Sequence, residues 1–165
     1  MGGWKSHLAA LGLVCVTALT GCGVVGSLTE PVLQLQYIAL RSDADANASS
    51  PTAVDVVFVY EAGVIDVLQA ATAADWFSRR QQFLRDFPEG LAVKSWEVVP
   101  DSVLPIWEVP EEFLENQSDD QVITAFVFAD YLSPGDHRAK LESRIGTRIN
   151  LGRDDFTLSA FNPDG

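Results

Sequence analysis

Two runs, "AVDVVFVYE" at 53–61 and "QVITAFVFADY" at 121–131, constrain this chain more than any other feature. Both are rich in β-branched and aromatic residues, which suit a pleated, packed surface. The second is apolar almost throughout, so it is predicted to be a central strand covered on both faces. "PVLQLQYIALR", 31–41, alternates Leu33, Leu35, Tyr37 and Ala39 against Gln34, Gln36 and Ile38, the period of a half-buried strand. "AVKSWEVV", 92–99, alternates again, and "TRINLG" and "DFTLSAF" read as a closing hairpin around Gly152 to Asp155.

One helix interrupts the strands. Thr72-Ala-Ala-Asp75 has the form of an N-cap with a first-turn acid, and Trp76, Arg80, Phe83, Leu84 and Phe87 recur at helical spacing until Pro88. The spacing predicts an amphipathic helix near 73–87 whose stripe packs on a sheet, with Ser78, Arg79, Gln82 and Asp86 on its polar side. Pro100, Pro105 and Pro110 exclude a continuous helix or a central strand from the next segment and favour edge strands joined by turns. Trp96 and Trp107 lie there, open to two readings: core or strand-edge packing, or a stacking surface for a ligand.

Residues 1–21 read as a signal peptide. Lys5 supplies a positive n-region, and Leu8 to Leu19 form an apolar run of about a dozen residues, short of the roughly 20 that span a bilayer. Leu19-Thr20-Gly21-Cys22 resembles the bacterial lipobox, in which the cysteine is acylated and becomes the first residue. A secreted protein cut nearby is the competing reading, and it leaves an odd cysteine in an oxidising compartment. Cys15 lies within the removed segment, so lipidation of Cys22 leaves no free thiol. One acyl chain holds a protein to a membrane only marginally; several make attachment stable. Gly23 after the cysteine, rather than Asp, points to the outer membrane. Residues 22–31 are then a short tether, and 32–165 a single domain.

Without Lys5 the chain carries 10 basic against 23 acidic residues. Such a body is repelled by nucleic acid and by anionic lipid. The parts for catalysis are scarce: His137 is the one histidine left after His7 departs, and no nucleophile elbow, phosphate loop or paired-histidine metal motif is present. The pairs Glu111/Glu112, Asp119/Asp120 and Asp154/Asp155 read as solvated loop charges. Asp43-Ala-Asp45-Ala-Asn47 begins like a calcium loop, but Ala48, Pro51 and Val54 stand where the template needs Gly, a ligand and Glu. No metal and no cofactor is expected. As a connection between strands, 42–52 is long, which marks it as functional or mobile.

The order of these features resembles the TssJ-type (SciN-like) outer-membrane lipoproteins of the type VI secretion system. The likeness runs from the lipobox through a first strand, a loop from Asn47 to Pro51, the strand Val54-x-Val56-x-Phe58-x-Tyr60, the helix with Asp75-Trp76-Phe77 and Leu84, and a strand ending at Pro100. It continues into "FVFADYLSPGDHRAKLE", where His137-Arg138 stand in place of that family's Trp-Arg. The resemblance implies a mainly β fold: a two-sheet, transthyretin-like β-sandwich with one added amphipathic α-helix. It implies a non-enzymatic scaffold, anchored in outer-membrane lipid through acylated Cys22 and facing the periplasm, that grips the periplasmic region of an inner-membrane TssM-type subunit. It places that contact on the loop between the first two strands, here Asp43, Asp45, Asn47, Ser49, Ser50 and Pro51. A periplasm-facing lipoprotein that binds a glycan or peptidoglycan fragment through Trp96 or Trp107 is the alternative.

Overall fold

The computed structural model describes Met1 and residues 32–163. The segment expected to carry the signal sequence and tether, with Cys22, falls outside the described residues. In chain order the elements are β1 (Tyr37–Ser42), β2 (Thr52–Val59), α1 (Ala62–Ala70), α2 (Ala73–Asp86), β3 (Leu91–Val98), β4 (Trp107–Glu108), β5 (Thr124–Ala129), β6 (Arg138–Lys140), β7 (Gly146–Leu151) and β8 (Phe156–Ala160).

The two apolar runs pair with each other. β2 and β5 lie antiparallel, Val54 opposite Ala129 and Val59 opposite Thr124. Because side chains alternate along a strand, each strand fills two cores. Val54, Val56 and Phe58 with Ala125, Val127 and Ala129 face a second sheet; Val57, Val59, Phe126 and Phe128 face the helices. The sheets have the orders β3-β2-β5-β6 and β4-β1-β7-β8, four strands each. β1 and β7 run parallel, and the other pairs are antiparallel. This is the expected two-sheet sandwich, with β7 and β8 forming the expected hairpin.

Three features depart from the sequence reading. The first strand begins at Tyr37 rather than Pro31, and its alternation changes phase: Leu33 and Leu35 are buried, but so are Ile38 and Leu40, in the same core. The N–H groups of Gln36 and Tyr37 both donate to the Ile145 carbonyl, at 2.7 and 3.1 Å. Two residues thus oppose one, and this bulge turns Ile38 inward instead of out with the glutamines. Second, there are two helices. α1 is only nine residues long and its N-cap, Glu61, makes no side-chain capping bond, so it lacks a start signal. Third, the run 121–131 forms ladder pairs only over Thr124–Ala129.

α2 matches its sequence signature. Thr72 and Asp75 form a reciprocal capping box, the Asp75 N–H donating to Thr72 Oγ1 at 3.1 Å and the Thr72 N–H to Asp75 Oδ2 at 3.2 Å. The bond from the Thr72 hydroxyl holds the Asp75 carboxyl below its ordinary range, helped by the Thr72 backbone. The cap's contribution is therefore complete above pH of about 4 and is lost as pH falls through that lowered value.

The helix is keyed to the sheet by one buried carboxylate. Asp55, on β2, accepts a 2.8 Å hydrogen bond from Trp76 Nε1. The Trp76 ring is fully buried and stacks on Phe128 at 5.1 Å and Phe83 at 5.4 Å. Arg80 Nε lies 3.3 Å from the same Asp55 oxygen, close enough to offset its charge although not aligned for a hydrogen bond. Its Nη2 donates to Ser95 Oγ at 2.9 Å. Arg80 thus belongs in the apolar stripe because it neutralises what the stripe covers.

The proline-rich segment forms the expected edge: β4 pairs with β1 at the border of its sheet. Trp96 on β3 meets Trp107 on β4 edge to face at 5.5 Å, with Phe113 against Trp107 at 5.1 Å. Lys94 Nζ sits 5.3 Å from both indoles. These rings close the side of the sandwich where the two sheets' edge strands meet.

Trp76→Phe retains the stacked ring but removes the donor to Asp55, and is expected to lose about 1–3 kcal/mol in urea unfolding. Trp76→Ala also loses the packing, and is expected to lose about 3–5 kcal/mol. A Trp76→Phe variant as stable as the parent would show that the hydrogen bond contributes nothing.

Candidate functional site

Four connections gather at the end of the sandwich where β1, β3, β5 and β7 finish: residues 43–51, 99–106, 130–137 and 152–155. The 43–51 loop is bonded to all three of the others. The Asp43 N–H donates to the Leu151 carbonyl at 2.9 Å, that of Asp101 to the Asp43 carbonyl at 3.1 Å, and that of Asn47 to the Gly152 carbonyl at 3.1 Å. A loop fixed by its backbone in this way is not a free connector.

Its centre is Asn47, which is 2% exposed. The side-chain amide donates to the Pro51 carbonyl at 3.1 Å and to the Asp130 carbonyl at 3.2 Å. Its Oδ1 accepts from the Leu132 N–H at 2.7 Å. Pro51 precedes β2 and Asp130 follows β5, so this one side chain caps the central pair and holds the next loop beside it. Asn47, Ala48 and Ser49 have φ of 48°, 52° and 62°. Asparagine tolerates the left-handed region; alanine and serine do so only at a cost of roughly 1–2 kcal/mol each. The bonds made by Asn47 offset that cost.

The sequence-predicted contact residues therefore separate into two kinds. Asp43, Asp45, Ser49 and Pro51 are exposed and Ser50 is half-buried, whereas Asn47 is inside. The calcium-like spacing does not converge: Asp43 faces Arg41 at 3.7 Å, Asp45 faces Arg153 at 3.8 Å, and the Asn47 oxygen points inward. Cys22 lies outside the described residues. Trp96 and Trp107 are half-buried, meet each other edge to face and each lie 5.3 Å from Lys94 Nζ.

His137 adds a second brace that periodicity could not reveal. It has φ of 43°, is buried, and stacks on Tyr131 at 4.9 Å. Nδ1 lies 3.0 Å from Asp155 Oδ1 and Nε2 lies 2.8 Å from the Ser133 carbonyl, joining the β5–β6 loop to the β7–β8 turn. Burial pushes the Tyr131 phenol well above its ordinary pKa, with the Asp155 charge adding to the effect. Gly135 is required here: a Cβ would stand 2.7 Å from His137 Cε1.

Ser133, His137 and Asp155 are the residue types of a hydrolytic triad, but they are wired otherwise. The Ser133 hydroxyl gives its proton to the Asp154 carbonyl at 2.6 Å and is 3.5 Å from Nε2. A carbonyl only accepts, so the Nε2 that bonds Ser133 O carries a proton and is no base toward the hydroxyl. The set ties loops together.

No protein-family model matches the sequence, and no curated protein matches it. Among solved structures the chain is similar to the T6SS lipoprotein TssJ1 from Pseudomonas aeruginosa, with a TM-score of 0.56 and 14% identity over 80% of this chain and 98% of that one. It is similar to Serratia marcescens Lip, a membrane-bound component of the type VI secretion system, with a TM-score of 0.51 and 12% identity over 79% and 99%. It is also similar to a chain of a type VI membrane complex, with a TM-score of 0.53 and 15% identity over 77% and 100%. The chain has the TssJ-like fold.

Asn47→Ala removes all three side-chain bonds and places alanine at a strained φ. An expected loss of about 2–4 kcal/mol accompanies faster amide exchange at Leu132. Asn47→Gly relieves the strain without restoring the bonds, so exchange at Leu132 stays fast while part of the stability returns. Slow exchange at Leu132 in both variants would show that the loop is held by something else.

Proposed function

We propose that this chain is a lipid-anchored scaffold of a type VI secretion membrane complex, held in the outer membrane by acylated Cys22. It binds the periplasmic region of an inner-membrane TssM-type subunit through the loop after β1. The shared fold supports the class of assembly, and one observation about direction supports the contact. The chain enters the fold at Leu33, whose N–H donates to the Val122 carbonyl just ahead of β5. It then traverses the six residues of β1 to reach the 43–51 loop. At about 3.3 Å per residue the strand separates the two ends by roughly 20 Å. A tether attached at the entry end directs the braced loop away from the membrane that holds it, toward a partner rooted in the other membrane.

Among the described residues no helix is long and apolar enough to cross a membrane, and the proposed attachment is lipid alone. The work is presentation rather than chemistry. The loop's exposed residues sit on a backbone already ordered by Asn47, so little ordering entropy remains to oppose binding.

Two substitutions separate the parts. Cys22→Ser is expected to move the protein from the outer-membrane fraction to the soluble periplasm with its fold intact. Ser49→Trp places bulk on the outer side of the loop and leaves Asn47 in place; it is expected to weaken binding of the purified periplasmic domain of the co-encoded TssM-type subunit at least tenfold, with an unchanged circular dichroism spectrum. Full affinity in Ser49→Trp would defeat the loop assignment.

A further inference from the structure

We infer that the docking face extends beyond the β1–β2 loop to apolar side chains on both of its flanks, and that it fits a basic protein surface whose apolar sockets lie beside its positive charges. This rests on the scaffold reading of the same end of the molecule. On one flank is Leu132, 72% exposed, whose backbone N–H is held by Asn47. On the other are Val103, 77% exposed, and Val99, 54% exposed. They belong to the connection that donates from Asp101 to the Asp43 carbonyl and accepts, at the Ser102 carbonyl, from the Ser42 N–H at 2.8 Å. Val103 also bridges Arg41 at the end of β1.

Single exposed apolar residues are ordinary on a protein surface. These three stand on the two segments that the loop itself binds: the Leu132 backbone is held by Asn47, Val103 bridges Arg41 at the strand end, and the Val99 carbonyl accepts from the Ser102 hydroxyl within the connection at 2.6 Å. They are presented rather than left over. A rigid apolar side chain loses little entropy when a partner covers it, which is the property of an interface anchor.

Charge selects the partner. Asp101, Asp130 and Asp154 are exposed at this end and their carboxylates have no partner among the described residues. The exposed cations nearby, Arg41 and Arg153, are already turned to Asp43 and Asp45. The end therefore presents uncompensated negative charge on the same segments as its apolar side chains, Asp101 between Val99 and Val103 in the chain and Asp130 two residues before Leu132. Opposite charge across an interface speeds encounter and fixes orientation, while buried apolar anchors slow dissociation. A basic partner face satisfies both; an acidic or neutral one leaves the carboxylates desolvated and unpaired.

The test uses the full-length lipoprotein in detergent and the purified periplasmic domain of the co-encoded TssM-type subunit, with association and dissociation measured over a range of salt concentrations. The double variant Leu132→Ser/Val103→Ser is expected to dissociate at least tenfold faster. The double variant Asp130→Asn/Asp154→Asn is expected to associate severalfold more slowly at low salt and to show a flatter salt dependence. Near-ultraviolet circular dichroism matching the parent's verifies the fold of each. Parent binding that is salt-independent, or that both double variants leave unchanged, overturns the extended face. If Ser49→Trp then still abolishes binding, the scaffold reading survives with a contact confined to the loop. Failure of the parent to bind at all overturns both.

Discussion

β2 and β5 have no face to show to water, and the rest of the architecture answers to that constraint. Their inner side chains need a second sheet and their outer ones need a helical cover, which makes the molecule three layers deep around one pair of strands. Asp55 is the one charged side chain on β2, buried on the face that packs against the helices. It is tolerated because Trp76 donates to it and Arg80 offsets its charge, and both come from one face of α2. A carboxylate with only those partners fixes where the helix can sit, since a shift along the sheet would strand it.

The same pair organises the far end. Asn47 bonds the carbonyl before β2 and the carbonyl after β5, so the conformation of the long loop is tied to the register of the central ladder. The His137 bridge then ties the β5–β6 loop to the β7–β8 turn. What emerges is an ordered end built from four connections, acidic in charge, with apolar side chains beside a loop of unusual backbone. The entry of the chain lies at the other end of β1. In the proposed scaffold, this polarity sets which end meets the membrane and which meets the partner.

Much of this was legible in the sequence, and the exceptions are physical. Strands buried on both faces and a helix with a capping box announce themselves locally, because the residues that cause them are contiguous. α1 made no such announcement: it has two buried residues and no capping side chain, and packing against the sheet holds it rather than its own propensity. The bulge at Gln36 and Tyr37 depends on a carbonyl more than a hundred residues away, at Ile145. The loop's importance was readable from its length and composition, but the inward role of Asn47 was not, since its partners are at 51, 130 and 132. Leu132, Val103 and His137 likewise join the site only through strand order. The three positive φ values in succession had no sequence signal, for glycine is absent from that stretch.

The central claim is that the loop end, and not the opposite end or the sheet faces, meets the partner. Amide hydrogen exchange of the full-length protein, with and without the proposed TssM-type periplasmic domain, tests it most directly. The account predicts added protection at 43–51 and 130–133, and none at the entry end around Tyr60, Gly90 and Glu112. Protection confined to that entry end, or absent from 43–51 under conditions where the complex forms, would contradict it.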